Sequence, residues 1–294
     1  MPDGFMLRNI ADCDWENVNV GRKIAIRKKP LPLDIGSNEV TIEFSYLLVP
    51  DGYSIPRHRH NCDQIRYVIG GIQSIGAKQN MEPNECGYFP EGAYYGPQEQ
   101  KGDCRCLLLQ FQGPSGQRLL SSAALGATYK KMIEGGAVFE NGVYRGRKQD
   151  GSPQNKDSYT AIWEAHEGRK LEFPKPRYRD PVMMLPERFD WLPHPSSTGI
   201  QIKTLGRFTE FGTAIGFLRV APGSTLIAEA QSDATIHYLL EGSVMHSGRE
   251  WPEGTFFATR PGMPGESMNS PSGATFLTIT LPLQAMERRL ALRG

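Results

Sequence analysis

At 294 residues, 39% hydrophobic and 22% charged, the chain has the composition of a folded protein of one large or two ordinary domains. Its formal net charge of +1 gives no bulk electrostatic reason to expect nucleic acid or a membrane surface as a partner. The 32 glycines and 22 prolines favour turns and short strands over long helices, and the five cysteines, with no CxxC among them, read as reduced thiols.

The amino-terminal stretch MPDGFMLRNIADCDW has no apolar core of a secretory signal, and no run reaches the roughly 20 residues of a transmembrane helix. A cytoplasmic location is therefore expected. From about 38 to 113, short runs rich in Val, Ile, Tyr and Phe alternate with Gly and Pro: EVTIEFSYLLV, QIRYVIGG, GYFPEGAYYGP, CRCLLLQFQGP. Such runs predict antiparallel strands. The segment from 115 to about 195 differs. GQRLLSSAALGATYKKMIEGG predicts a helix stopped at Gly135–Gly136, and KDSYTAIWEAHEG a second one ending at Gly168. The prolines of FPKPRYRDPVMMLP impose an extended path, and its KPRYRD cluster reads as a solvated loop. Strand texture returns from about 199 in IGFLRVAPGSTLIA, TIHYLLEGSV, GTFFATRPGMPG and ATFLTITLPL.

The two strand-rich zones are copies. VPDGYSIPRHRHNCDQIRYVIGG lies over VAPGSTLIAEAQSDATIHYLLEGS, which matches Gly52 with Gly223, Tyr67 with Tyr238 and Gly71 with Gly242, each 171 positions on. ECGYFPEG then matches TFFATRPG, with Gly92 on Gly262. Duplication at this spacing means two related β domains.

The unit PDGxxxPxHxHxxxQxxYVxGG, followed by YFPEGxxY, resembles the two motifs of the cupin superfamily, and its duplication resembles a bicupin. The resemblance covers roughly 75 residues in each β zone and leaves out the helical middle. It implies an all-β fold of two double-stranded β-barrel domains, at 1–115 and 196–294, with a partly helical connecting segment at 116–195 serving as lid or wall.

His58 and His60, two apart on an extended chain, share a face and can offer neutral nitrogens to one ion. Gln64 falls where cupins commonly place a glutamate. It keeps an oxygen ligand but supplies no negative charge, so an ion there is held less tightly and remains a stronger Lewis acid. Asp63 projects to the other face. The last ligand of the family falls on Tyr95, as a phenolate ligand or an acid/base whose usual acidity the ion has to strengthen. Arg66 shares the inward parity of Gln64 and orients a carboxylate substrate, or else pairs with a protein carboxylate or reaches the rim. Tyr46, Gln110, Gln112, Cys62 and Cys86 read chiefly as packing. In the second copy the corresponding positions are Glu229, Gln231, Thr235 and Gly265, with His237 in place of Arg66, so that copy reads as structural.

The resemblance implies a divalent metal ion, Fe(II) first and Mn, Zn, Ni or Cu as alternatives, and dioxygenation of a small phenolic or keto acid. A non-redox lyase, isomerase or hydrolase and a non-enzymatic small-molecule-binding bicupin stay open. The expected partner is a small organic acid or phenolic compound; no nucleic acid and no membrane are expected, and homo-oligomer formation stays open.

Overall fold

The computed structural model describes residues 6–19, 21–148, 150–208, 212–227, 232–263 and 266–291. The chain divides into two compact units, each discontinuous in sequence. The first is Trp15–Pro30 with Thr41–Met184; the second is Met1–Asp14, Leu31–Val40 and Leu185–Gly294. The helical middle therefore belongs with the first unit.

The first unit is built on seven antiparallel strands: β1 (Glu16–Val18), β2 (Ile26–Pro30), β3 (Ile42–Val49), β4 (Cys62–Gly70), β5 (Cys86–Phe89), β6 (Cys104–Gln112) and β7 (Val182–Met184). They lie in the order β7-β5-β4-β6-β3-β2-β1. The central strand β4 is buried along almost its whole length, so it reads as a near-continuous apolar run rather than a clean alternation. A cluster of Leu47, Val49, Tyr53, Val68, Met81 and Phe89 packs between the layers. Each such side chain contributes about 1.5–3 kcal/mol through burial.

Helix α1 (Ser122–Glu134) starts where Ser121 accepts a hydrogen bond from the Ala124 amide, and it ends at Gly135. Helix α2 (Ser158–Glu167) is capped by Asp157, which accepts from the Thr160 amide, and stops at Gly168 in the left-handed conformation. Both helices stand where the sequence places them. Trp163 of α2 is fully buried and donates to the Arg118 carbonyl (2.9 Å).

In the second unit, β8 (Ile200–Phe208), β9 (Thr213–Val220), β10 (Ala234–His246), β11 (Thr255–Thr259) and β12 (Ala274–Leu281) run in the order β11-β10-β12-β9-β8. The matching strands of the first unit run β5-β4-β6-β3-β2, so the duplication read from sequence is a duplication of topology. Gly71 and Gly242 show it at one residue each. Both have positive φ (73° and 82°), and a Cβ would lie 2.1 Å from the Asp103 carbonyl oxygen in one and 2.0 Å from that of Gly273 in the other. Only glycine fits either turn. Helix α3 (Leu283–Ala291) follows β12 and buries Leu283 and Met286.

The fold is all-β, with one refinement. Each main sheet is an open path whose ends are edge strands rather than a hydrogen-bonded closed barrel. Among the described residues no helix is long and apolar enough to cross a membrane, and all five cysteines are free.

Candidate metal centre

The first motif is held against the second by backbone pairing. His58 N donates to the Tyr95 carbonyl and Tyr95 N to the His58 carbonyl, both at 3.0 Å, while Gly92 N donates to the His60 carbonyl at 2.9 Å. The turn PEGAYY is thereby clamped to PRHRH, and this brings Tyr95 to the histidines. The ring centroids of His58 and His60 lie 5.0 Å apart, and that of Tyr95 lies 4.4 Å from His58. On β4, Gln64 and Arg66 share their face, with Gln64 opposite Gln110 of β6 and Phe89 of β5. His58, His60, Gln64, Arg66 and Tyr95 all line one cavity of about 140 Å³, so the structure gathers every residue the sequence singled out.

Burial is the dominant electrostatic effect. It pushes His58 down to about 3 and His60 well below its usual value, with Arg22 and Arg66 adding to the shift. Both imidazoles are therefore neutral at ordinary pH. His58 Nδ1 is 2.9 Å from the Pro56 carbonyl oxygen and so carries the proton, which leaves Nε2 with a free lone pair. Burial also pushes the Tyr95 phenol up to about 12.

Arg66 is the hub. Its Nη2 donates to Gln64 Oε1 (2.9 Å) and to the Tyr95 oxygen (2.7 Å), while the Tyr95 hydroxyl faces Gln64 Oε1 at 3.5 Å. Its guanidinium lies over the Phe89 ring at 4.5 Å. Of the alternatives for Arg66, the protein-carboxylate partner is absent among the described residues. Without an ion, burial favours the neutral phenol at Tyr95, whose oxygen accepts from the Arg66 guanidinium.

The donor set fits a divalent ion, weakly. Two imidazoles that each reach one ion through a nitrogen about 2.1 Å away have ring centroids roughly 5 Å apart, which matches the observed spacing. Gln64 Oε1 accepts from Arg66 and, at 3.5 Å, from the Tyr95 hydroxyl, so an ion there would take the place of the longer contact. No carboxylate joins them, and among the described residues no group of three His, Cys, Asp or Glu is placed to hold a metal.

Several residues of the cavity escape sequence reasoning. Tyr159 of α2 packs its ring 5.8 Å from His60 and donates to Asn61 Oδ1 (2.7 Å). Lys28 reaches Ser122 Oγ and pairs with Glu43 (3.7 Å), whose carboxylate accepts from the Ser122 amide (2.6 Å) at the start of α1. Arg22 and Tyr53 complete the wall. The one signal that could have found any of these is the shared parity of Ile26 and Lys28; the others come together through chain folding alone. Gln110 does line the cavity, whereas Tyr46 meets Trp15 edge to face and Gln112 donates to the Gly116 carbonyl.

Asp63 faces away, as its parity requires, and accepts from the Tyr88 hydroxyl (2.8 Å) and the Glu91 amide (2.7 Å). Arg177 stands 3.7 Å from its carboxylate and donates to Tyr88 (2.6 Å). KPRYRD is therefore not simply a solvated loop. A buried carboxylate needs a cation, and this segment supplies it.

In the second unit Thr235 and His237 occupy the places of Gln64 and Arg66 on β10. His237 stacks on Phe257 at 4.6 Å, with the planes 16° apart, inside the apolar core. Glu229, Gln231 and Gly265, which match His58, His60 and Tyr95, lie outside the described residues.

No protein-family model and no curated protein sequence matches the chain. Solved structures do. A provisionally assigned dioxygenase from Nostoc punctiforme aligns over 95% of this chain and 83% of its own, with a TM-score of 0.63 and 12% identity. A provisionally assigned glyoxylate-induced protein from Pseudomonas aeruginosa aligns over 96% and 90%, at 0.57 and 13%. Oxalate decarboxylase from Bacillus subtilis aligns over 94% and 75%, at 0.53 and 14%. These likenesses establish the fold, which is that of a bicupin.

Proposed function

We propose that the chain is a metal-dependent bicupin enzyme whose reaction centre lies in the first unit and whose substrate is a small organic acid. One observation carries this reading: two neutral imidazoles, the buried His58 and the half-buried His60, share a cavity of about 140 Å³ with a guanidinium that has no carboxylate partner among the described residues. Two such imidazoles are ready ligands, and the guanidinium is a ready anchor for a substrate carboxylate. His58 and His60 would hold the ion with Gln64 Oε1. A divalent ion there supplies Lewis-acid polarisation and, if it is iron, activation of dioxygen.

The chain's own groups do the rest. Arg66 binds and orients the anionic end of the substrate while fixing Gln64 and Tyr95. The neutral Tyr95 hydroxyl, held by Arg66 at 2.7 Å, is a proton donor toward the cavity. Tyr159 and the walls of α1 and α2 limit access of water. Likeness to the Nostoc dioxygenase supports dioxygenation by an Fe(II) form as the first reaction to assay. Likeness to the Bacillus oxalate decarboxylase supports decarboxylation as the second.

The test is to purify the full chain anaerobically, load it with Fe(II) or Mn(II) in turn, and follow dioxygen uptake and carbon dioxide release against short keto, hydroxy and dicarboxylic acids and simple phenols. Turnover that needs the ion and is lost in Arg66→Gln supports the proposal. Turnover of phenols alone, or none with any ion, contradicts it.

A further inference from the structure

Two guanidiniums, not one, border the cavity. Arg22 lies in the loop before β2, with its guanidinium 5.5 Å from the Tyr53 ring centroid. Its Nε is buried and without a hydrogen-bond partner, and the same is true of the Nε of Arg66. Neither arginine forms an ion pair among the described residues. The third cation of the wall, Lys28, is already paired with Glu43. The Arg22 charge acts on Asp157, but that carboxylate forms no ion pair with it and is committed to the Thr160 amide and hydroxyl at the start of α2. The cavity thus carries two positive charges that the protein does not compensate within contact distance. A charge left so is costly in proportion to its burial, and Arg66 is buried while Arg22 is half-buried.

Size narrows the occupant. A cavity of about 150 Å³ takes a benzene-sized guest, so about 140 Å³ takes roughly six to nine non-hydrogen atoms. An aromatic dicarboxylate such as phthalate, with about twelve, exceeds that; an aliphatic acid of two to four carbons does not.

Building on the substrate reading above, we propose that Arg22 is a second anchor, and that the ligand of this pocket is a short aliphatic dicarboxylate whose two carboxylates are divided between Arg66 and Arg22. Arg66 grips one carboxylate beside His58, His60 and Tyr95, where chemistry occurs. Arg22 takes the other beside Tyr53 and sets the preference for a dianion over a monoanion of similar length. The free Nε of each guanidinium is the donor left for this purpose.

The experiment is calorimetric titration of the full chain with malonate, propionate and phthalate, as purified and again after dialysis against a chelator. Malonate is expected to bind at least about tenfold tighter than propionate, one charge-assisted contact being the difference, and phthalate not to bind. Arg22→Gln should erase the malonate preference while leaving propionate within about twofold; Arg22→Lys should restore part of it; Arg66→Gln should weaken both acids. Thermal melting of each variant checks that it folds. Equal affinity for malonate and propionate in the unmodified chain would overturn the proposal, as would an unchanged preference in both Arg22 variants or absence of binding by either acid. A dianion preference that survives removal of metal, in a chain that never supports turnover, would uphold the arginine pair while defeating the enzyme reading.

Discussion

The same pair of strand positions is used in opposite ways in the two units. In the first, Arg66 on β4 faces Gly87 on β5, and the guanidinium reaches across to Gln64 and Tyr95 at the wall of a cavity. In the second, His237 on β10 faces Phe257 on β11, and the two rings stack at 4.6 Å with Phe276 against their edge. Where the first unit has a residue without a side chain, the second has a fully buried phenylalanine. A duplicated fold can thus keep strand order, register and glycine turns while exchanging a polar cavity for an apolar core. At the place of Phe257 the first unit has Gly87, against which Phe89, Met183 and Met81 pack, so the small residue is matched by larger neighbours in an interior with no spare room.

The largest way to break the comparison is to remove both histidines. His58→Ala/His60→Ala is expected to lose all bound metal and turnover, since Gln64 and Tyr95 alone offer too few strong ligands. Thr235→Ala should leave both unchanged; metal analysis and the uptake assay check this. Next comes Tyr95→Phe, which removes one oxygen from an otherwise intact wall. It should cost about 10²–10⁴ in rate with little change in melting. Tyr94→Phe should be silent, because Tyr94 is 41% exposed and sits against Arg57 and Arg59.

In the second unit the expected effects are on stability. Phe257→Ala should destabilise by about 3–5 kcal/mol in denaturant unfolding and leave metal content alone. A smaller effect is a pH dependence. Burial holds His237 near 4, whereas an unfolded histidine titrates near 6.5. Between those values the unfolded chain binds more protons than the folded one. Stability is therefore complete above about pH 6.5 and falls as pH drops toward 4, by about 3 kcal/mol. His237→Leu should flatten that fall, read as a lower acid midpoint for the transition of this unit.

Much of this architecture is legible in the sequence alone, and for a physical reason in each case. The duplication shows because turns that admit only glycine recur at fixed spacing, as at Gly71 and Gly242. The histidine pair shows because side chains two apart on an extended chain share a face. What stays hidden depends on contacts between distant segments. No pattern announces that Arg177 would neutralise Asp63 or that Tyr159 would lie against His60. Arg22 sits in a basic stretch, RKIAIRKK, in which nothing local marks it for a cavity. The Arg66 bonds to Gln64 and Tyr95 follow from parity only once PEGAYY is known to pair with PRHRH. The filled interior of the second unit requires the register that sets Phe257 opposite His237.

The central claim is that metal chemistry is confined to the first unit, and stoichiometry tests it most directly. Elemental analysis of the anaerobically purified full chain, after saturation with Fe(II) or Mn(II) and removal of excess, is expected to give one ion per chain and none in His58→Ala/His60→Ala. Two ions per chain, or one retained in the double variant, would contradict it.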